Sequence, residues 1–295
     1  ASALTPVYPT SAQLPQAYLR KAIASALARA PLDEVLQAHR SWAARHFPSP
    51  GEVRHTNPPD PERRLRIGYV SADFRDHAAA AFIEPVLKGH DRELVHVTCY
   101  SNNGRDDAGT QKLKAASDAW YDARALKDQE LVARIREDGI DILIDLSGLS
   151  DGNRLGAFAQ RAAPIQATWL GYPGTMGALY FDYLIADTAI VPPELEGFYS
   201  EKIVRLPDSY QVNDRKRPIA ERTPSRAELG LPENGFVFCC FNNNYKITPA
   251  VFDRWMGILR AVDGGVLWLV GDNAEVPNNL RAEAEKRGVA GSRLL

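Results

Sequence analysis

The sequence has little that would suit a secreted, membrane-spanning or metal-thiolate protein. Only three of its 295 residues are cysteines (Cys99, Cys239 and Cys240), an odd number without metal-type spacing, so no disulfide framework is expected. Buried reduced thiols are expected instead, and they favour a cytoplasmic location. No run approaches the ~20 apolar residues of a membrane span, and no basic start followed by an apolar core predicts a signal peptide.

A surplus of charge is also missing. The formal net charge is -2 at pH 7, and the chain has no dense Lys/Arg run. Nucleic-acid-binding domains usually carry a strong basic surplus, so no nucleic-acid partner is expected. Hydrophobic residues make up 45% and charged residues 24%, as in an ordinary folded, water-soluble protein. The length predicts about two domains.

Changes in composition mark four predicted segments. They are a helical segment ending in a Pro-rich linker, an N-terminal α/β domain, a polar linker, and the first part of a second α/β domain, at residues 1–62, 63–212, 213–233 and 234–295 respectively. The last segment is interpreted as incomplete, because two strands are too few for a stable sheet. His39 and His46 are expected on a packed or solvated helix surface rather than as ligands.

Short apolar runs that end in Ser, Asp, Gly or Pro turns predict strands at residues 65–70, 94–100, 141–146, 164–170, 183–187, 202–206, 235–241 and 265–271. Helical patterns alternate with them at residues 79–89, 113–120, 128–138 and 279–288. Thr248 and Pro249 open another helix, with one face formed by Val251, Trp255, Ile258 and Leu259. This alternation predicts a doubly wound α/β fold, which binds ligands at the carboxyl ends of its strands.

One candidate site follows the first strand, in the segment Asp73-Phe-Arg-Asp-His77. A histidine with nearby carboxylates can be held in one tautomer and can accept a proton near neutral pH. A histidine at the start of a helix is also often purely structural. The segment by itself therefore leaves a catalytic and a structural interpretation open.

Two further loops are candidates for binding. Trp169-Leu-Gly-Tyr-Pro-Gly-Thr-Met-Gly177 has three glycines in nine residues, so its backbone could cradle a sugar, or the segment is simply a tight turn. Asn242-Asn-Asn-Tyr-Lys246 leads into a helix N-terminus, which favours anions. A lysine there suits a diphosphate, because a fixed cation stabilises a leaving nucleoside diphosphate.

Taken together, these motifs resemble the protein O-GlcNAc transferase family in its bacterial branch, which is related to the SPINDLY-type O-fucosyltransferases. The resemblance rests on Ile-Gly-Tyr-Val-Ser-Ala-Asp-Phe74 and Leu-Gly-Tyr-Pro-Gly-Thr175, and on further segments in the family's order at residues 19–24, 177–183, 199–202 and 241–247. It covers nearly the whole chain. It implies a GT-B fold of two Rossmann-like domains, the second incomplete, preceded by the helical end of a tetratricopeptide-like region.

The resemblance also implies an activity. The family members are inverting enzymes that move N-acetylglucosamine from UDP-N-acetylglucosamine to Ser or Thr hydroxyls of proteins, without a metal or another cofactor. The implied partners are the nucleotide-sugar donor and a protein or peptide acceptor, with no membrane. Tetratricopeptide repeats and the rest of the C-terminal catalytic domain are expected elsewhere. Two alternatives stay open: protein O-fucosylation from GDP-fucose, and a non-catalytic protein-binding scaffold.

Site residues follow from the same resemblance. His77 and Asp73 match the family's catalytic candidates, and Lys246 matches its phosphate-binding lysine, counted here as catalytic too. The residues implied in donor binding are Leu170, Gly171, Tyr172, Pro173, Asn243, Tyr245 and Lys246. Asn243 stands where the family usually has Gln, and the Leu170-Gly171 backbone matches the loop that touches the donor sugar. The general base stays open among His77, Asp73, a water chain and the donor's own phosphate.

Three departures from the family pattern bear on these assignments. Residues 78–81 are all alanine, where the animal enzymes carry Pro and Thr. The family's second candidate histidine has no counterpart near Ala17. The remaining uridine and ribose contacts would follow residue 295. Sugar contacts and the choice between UDP-N-acetylglucosamine and GDP-fucose are therefore left open by the sequence.

Overall fold

The computed structural model describes residues 30–48, 51–271 and 275–295. They divide into two compact units between Lys216 and Arg217, a point inside the predicted linker 213–233. The finer predicted division, with boundaries after residues 62, 212 and 233, stays a prediction. The helical pattern before residue 30, including the segment 19–24, lies outside the described residues.

The first unit is built on a parallel sheet of seven strands in the order β3-β2-β1-β4-β5-β6-β7. The strands are β1 Leu65–Ser71, β2 Val95–Ser101, β3 Ala119–Asp122, β4 Ile142–Asp145, β5 Ile165–Thr168, β6 Tyr183–Ala186 and β7 Lys202–Arg205. Sheets buried on both faces need nearly continuous apolar strands, so the apolar runs predicted every strand except β3. The strand order reverses between β1 and β4, which opens a crevice at their carboxyl ends.

Helices cover both faces of this sheet. They are α1 Leu32–His46, α2 Ala78–Gly89, α3 Ala108–Ala115, α4 Asp128–Glu137 and α5 Leu155–Ala159, with a 3-10 helix at Pro193–Phe198. Neighbouring residues of a strand point to opposite faces. Val70 therefore packs in one core with Trp42 and Phe158, whereas Tyr69 packs in the other with Ile83. This confirms the predicted doubly wound α/β fold.

The predicted helix 113–120 is wrong in its second half. Helix α3 ends at Ala115, and Trp120 lies in β3, which pairs in parallel with β2 at the edge of the sheet. Aromatic residues favour strands. In addition, the Asp118 carboxylate accepts a hydrogen bond from the Val97 N–H (2.7 Å), which holds the following residues beside β2. The five-residue helix α5 was not predicted either, since it is too short for a periodic pattern.

The second unit contains two parallel strands and two helices: β8 Val237–Cys240, α6 Pro249–Ala261, β9 Val266–Leu269 and α7 Glu275–Lys286. A single parallel bridge joins Leu294 to Leu267 of β9. Thr248 caps α6 as predicted, but the buried face of that helix is formed by Phe252, Met256 and Leu259. Ile258 is 44% exposed. The face that packs into the core therefore lies about one residue further along the helix than the predicted face.

Candidate active site

Polar loops follow β1, β4 and β5 at the carboxyl edge of the seven-stranded sheet. The Ala72 N–H, after β1, donates to Ser147 Oγ after β4 (3.3 Å). Gly171, after β5, packs so closely on the end of β4 that a Cβ there would overlap the Leu146 carbonyl oxygen. The three loops therefore meet where the strand order reverses. The structure brings the predicted segments 73–77 and 169–177 to this one crevice.

Asp73 is held by an arginine that the sequence analysis did not single out. Its Oδ1 accepts a hydrogen bond from Arg75 Nη2 (3.0 Å), and its own N–H donates to Ser71 Oγ (3.0 Å). Asp73 Oδ2 lies 3.7 Å from His77 Nδ1, which is beyond a normal hydrogen bond. Asp73 and His77 are thus neighbours without a direct hydrogen bond, and Oδ2 is the carboxylate oxygen that Arg75 leaves available.

His77 caps helix α2 through its side chain. Its Nδ1 accepts a hydrogen bond from the Ala79 N–H (3.2 Å). An imidazole nitrogen that accepts a hydrogen bond carries no proton, so the neutral ring holds its proton on Nε2. The side chain is 40% exposed. His77 therefore offers a ligand in the crevice an N–H donor, while its lone pair is used by the helix.

The loop after β5 begins with a strained turn. The Gly171 N–H donates to the Trp169 carbonyl oxygen (2.8 Å), and Leu170 between them has φ 65°. This hydrogen bond over three residues with a positive φ is the rare γ-turn, and such strain in non-glycine residues concentrates at functional loops. The turn uses the Gly171 N–H. Within the described residues the Leu170 N–H has no hydrogen-bond partner, and neither do the N–H groups of Tyr172 and Gly174, so the loop offers several backbone donors.

Two buried titratable side chains anchor the far end of this loop. Glu201 accepts hydrogen bonds from Thr175 Oγ1 and the Met176 N–H, both at 2.8 Å. From the other side, His39 Nδ1–H donates to the Thr175 carbonyl oxygen (2.7 Å). Burial lowers the pKa of His39 and raises that of Glu201. His39, expected only as a packed or solvated surface residue, is therefore a neutral support of the loop.

The remaining predicted residues of the loop differ in exposure. Pro173 is exposed, as is Gly171. Tyr172 is half-buried, with its ring centroid 5.8 Å from that of His39, and burial raises the pKa of Tyr172 to about 12. Its hydroxyl is therefore uncharged at neutral pH. Packing against His39 makes Tyr172 part of the support of the loop, whereas Pro173 and the Leu170-Gly171 turn are its accessible part.

A buried carboxylate lies beneath the crevice. Asp145, the last residue of β4, is fully buried and accepts hydrogen bonds from the N–H groups of Ser147 (3.1 Å) and Gly148 (2.7 Å) and from Thr168 Oγ1 (3.2 Å). Burial raises its pKa to about 7, although these three donors favour the ionised form. Asp145 thus fixes the loop after β4. The position of Asp145 at the end of an apolar strand could have indicated a buried carboxylate, although Asp145 was not among the predicted site residues.

The raised pKa of Asp145 makes the stability of the first unit depend on pH. Between pH 4 and 7 the unfolded carboxyl ionises while the folded one keeps its proton, so the contribution of Asp145 to stability falls as pH rises. Relative to Asp145→Asn, which does not titrate, the free energy of unfolding should fall by up to about 4 kcal/mol over this range. Urea unfolding of both proteins at several pH values measures the difference. If the free energy of unfolding changed with pH in the same way in both proteins, the raised pKa of Asp145 would be contradicted.

Lys246 closes a short 3-10 turn, Asn244–Lys246, between β8 and α6. Its ammonium group is exposed and makes a long hydrogen bond to Asn242 Oδ1 (3.4 Å). Asn243 is exposed as well, and Tyr245 takes the middle position of the turn. The predicted residues of the second unit therefore lie in one turn, directly before the N-terminus of α6. Among the described residues, the weak hydrogen bond to Asn242 is the one side-chain contact of Lys246, which leaves the ammonium group available to an anion.

All three cysteines are free thiols. The expectation of burial is correct for Cys99 but wrong for Cys239, which is exposed because it alternates with Phe238, a residue that packs into the core of the second unit. Burial raises the pKa of Cys99 to about 12. The cytoplasmic location stays a prediction.

The structure describes residues 30–48, 51–271 and 275–295. In these ranges no group of three or more His, Cys, Asp or Glu side chains could hold a metal ion. None of the helices described there has the length and apolar composition needed to cross a membrane. Transfer without a metal stays a prediction.

Known proteins resemble the chain in both structure and sequence. A mutant of the Thermobaculum terrenum O-GlcNAc transferase matches with a TM-score of 0.87 and 38% identity, over 95% of this chain and 54% of that one. Together with the two α/β units, this match confirms the predicted GT-B type of glycosyltransferase fold.

The sequence comparison identifies the family. The model of glycosyl transferase family 41 matches residues 4–223 and 218–295, and the chain belongs to this family. It is 38% identical over 233 residues to an Arabidopsis thaliana protein named probable UDP-N-acetylglucosamine–peptide N-acetylglucosaminyltransferase SEC, and 39% identical over 236 residues to its SPINDLY counterpart from the same plant. These matches cover 77% and 78% of this chain but only 24% and 25% of the relatives.

Proposed function

We propose that this chain forms part of the catalytic region of an inverting glycosyltransferase. The enzyme would move N-acetylglucosamine from UDP-N-acetylglucosamine to Ser or Thr hydroxyls of proteins. The names of its relatives support this donor and this acceptor class. The observation that carries the proposal is the crevice at the β1/β4 reversal, where Asp73, His77 and the strained turn at Leu170 lie together. Strain and unused donors at the ligand-binding edge of an α/β sheet favour a substrate site over a scaffold.

In the proposed reaction the acceptor oxygen bonds to C1 of the sugar as the bond from C1 to the diphosphate breaks. The hydroxyl proton passes to a base, and negative charge grows on the departing diphosphate. Lys246 would neutralise that charge, helped by the N-terminus of α6. The Leu170 N–H would donate a hydrogen bond to an oxygen of the sugar. The contacts of Thr175 with Glu201 and His39 would hold the loop in position for this bond.

Asp73 and His77 would have different roles. His77 Nδ1 is used by the Ala79 N–H, so His77 would act through Nε2–H as a hydrogen-bond donor. Asp73 Oδ2 is free of the Arg75 contact and would accept the proton of the hydroxyl. A carboxylate is ionised at neutral pH and can take up a proton in the transition state.

Nucleotide release by the full-length protein distinguishes the proposed donor from its alternatives. UDP release from UDP-N-acetylglucosamine with an acceptor peptide should be more than about tenfold faster than GDP release from GDP-fucose. The opposite preference would support fucosyl transfer. A protein that shows no saturable UDP binding by calorimetry would support the scaffold instead. Adding EDTA to the same assay should leave the rate unchanged if transfer needs no metal.

A further inference from the structure

A cavity lies at the carboxyl edge of the sheet, beyond the ends of β2 and β3. Its volume is about 260 Å³, and we call it the Arg105 pocket. The residues that give it its chemistry are Asn103, Arg105, Lys114, Trp120, Asp122 and Arg124. None of them belongs to the predicted site. The pocket thus has three cationic side chains and one aromatic ring in its lining.

Hydrogen bonds tie the wall of the Arg105 pocket to the candidate catalytic segment. Asn103 Nδ2 and Thr110 Oγ1 both donate to the Phe74 carbonyl oxygen, at 3.0 and 2.8 Å. The Asp76 N–H donates to both carboxylate oxygens of Asp107, each at 3.0 Å. Phe74 and Asp76 lie between Asp73 and His77 in the chain. The pocket is therefore directly beside the proposed catalytic residues, on the same edge of the sheet.

The three cations of the pocket differ in their ion pairing. Lys114 pairs with Asp106 (2.9 Å) and Arg124 with Asp122 (3.4 Å). Arg105 is exposed, and in the part of the chain that the structure describes no ion pair joins its guanidinium to a carboxylate. Its charge acts on the nearby Asp107 carboxylate without direct contact, so the planar donors of the guanidinium, which match a carboxylate, are not engaged by an ion pair.

Trp120 supplies an apolar surface next to that charge. Its ring packs against Phe74, with centroids 5.4 Å apart, and Lys114 Nζ lies 5.7 Å from the ring centroid. An acidic side chain has an aliphatic stem and a carboxylate end, which fit an aromatic surface and an unpaired arginine. A phosphate dianion fits less well, because the carboxylates of Asp106 and Asp122 would repel its second charge.

We propose that the Arg105 pocket is a subsite for the acceptor, which binds an acidic side chain a few residues from the Ser or Thr that is glycosylated. This inference rests on the proposed function, because the acceptor segment would run along the sheet edge from Asp73 and His77 to the pocket. Arg105 pairs with the acidic side chain of the acceptor and selects among peptides. It is not among the residues implied in donor binding.

Matched peptides test the pocket with the full-length protein. Each peptide has one Ser and either Glu or Gln at one position, scanned from four residues before the Ser to four after it. The wild type should prefer Glu at one position or two adjacent ones by about fivefold in kcat/KM, as expected for a partly exposed ion pair. Arg105→Gln should remove the preference while leaving UDP release without peptide unchanged. High salt should weaken the preference of the wild type.

Lys112→Gln is the control, because Lys112 is an exposed cation of helix α3, which lies beside the pocket, and does not itself line the pocket. It should keep the preference. The proposed subsite is wrong if the wild type uses the Glu and Gln peptides equally well. It is also wrong if Arg105→Gln keeps the full preference for Glu. Fluorescence anisotropy with the labelled Glu peptide separates the two proposals. Binding that depends on Arg105 without any transfer supports the pocket and removes the transferase function.

Discussion

Replacing Lys246 by alanine should slow sugar transfer about 100- to 1,000-fold at saturating donor, the loss expected for a group that stabilises charge developing in the transition state. The fold should be unaffected, because the Lys246 side chain is exposed and its contact in the second unit is a 3.4 Å hydrogen bond to Asn242. Turnover of UDP-N-acetylglucosamine by the full-length protein measures the effect, and circular dichroism checks the fold.

Two variants make this result specific. Lys246→Arg keeps a positive charge and should recover part of the lost rate, although a guanidinium differs from an ammonium group in shape. Lys286→Ala removes another lysine of the second unit, 68% exposed at the end of α7, and should leave turnover unchanged. Wild-type turnover in Lys246→Ala would show that the diphosphate is bound elsewhere.

Replacing His77 by alanine should lower transfer about 100-fold, since a positioned hydrogen-bond donor in the crevice is lost. It also removes the side-chain cap of helix α2, which costs about 1 kcal/mol of stability. His77→Asn separates the two effects. Its amide oxygen can accept from the Ala79 N–H and its amide nitrogen can donate, so stability should return to the wild-type value and activity should return in part.

The pH profile of kcat/KM then distinguishes a donor from a base. If His77 were the general base, its protonation would produce the acidic limb of the profile, and His77→Asn would abolish that limb. We expect the two profiles to keep the same acidic limb, because His77 Nδ1 is used by the Ala79 N–H and does not accept the proton. A limb that disappears in His77→Asn would assign the base to His77.

Much of the fold was predictable because it rests on local patterns. The apolar runs that became β1 and β4 are buried on both faces, so each short run carries the full signal of a parallel strand. The Thr248-Pro249 pair predicted the start of α6, since its capping chemistry is contained in a few consecutive residues. Edge strand β3 escaped prediction because Trp120 is only half-buried there, so the run around it lacks that signal.

Within the first unit, the candidate site was predicted as segments but not as an arrangement. Asp73, His77 and the Leu170-Gly171 turn were named from short motifs. The carboxylates and the imidazole that hold them were not, because Glu201 bonds to Thr175 across 26 residues and His39 across 136. No periodicity connects such positions. Arg75, only two residues from Asp73, lay inside the motif and was overlooked.

The sequence by itself determined the family, the alternation of strands and helices, and the loops at which chemistry is expected, since each depends on neighbouring residues. The tertiary structure alone decided which atoms remain available. It directs His77 Nδ1 to Ala79, closes the Gly171 N–H into a γ-turn, buries Asp145, and gives Arg105 no ion pair with any other described residue. These properties depend on burial and on contacts between distant segments, and they arise only when the sheet brings its carboxyl ends together.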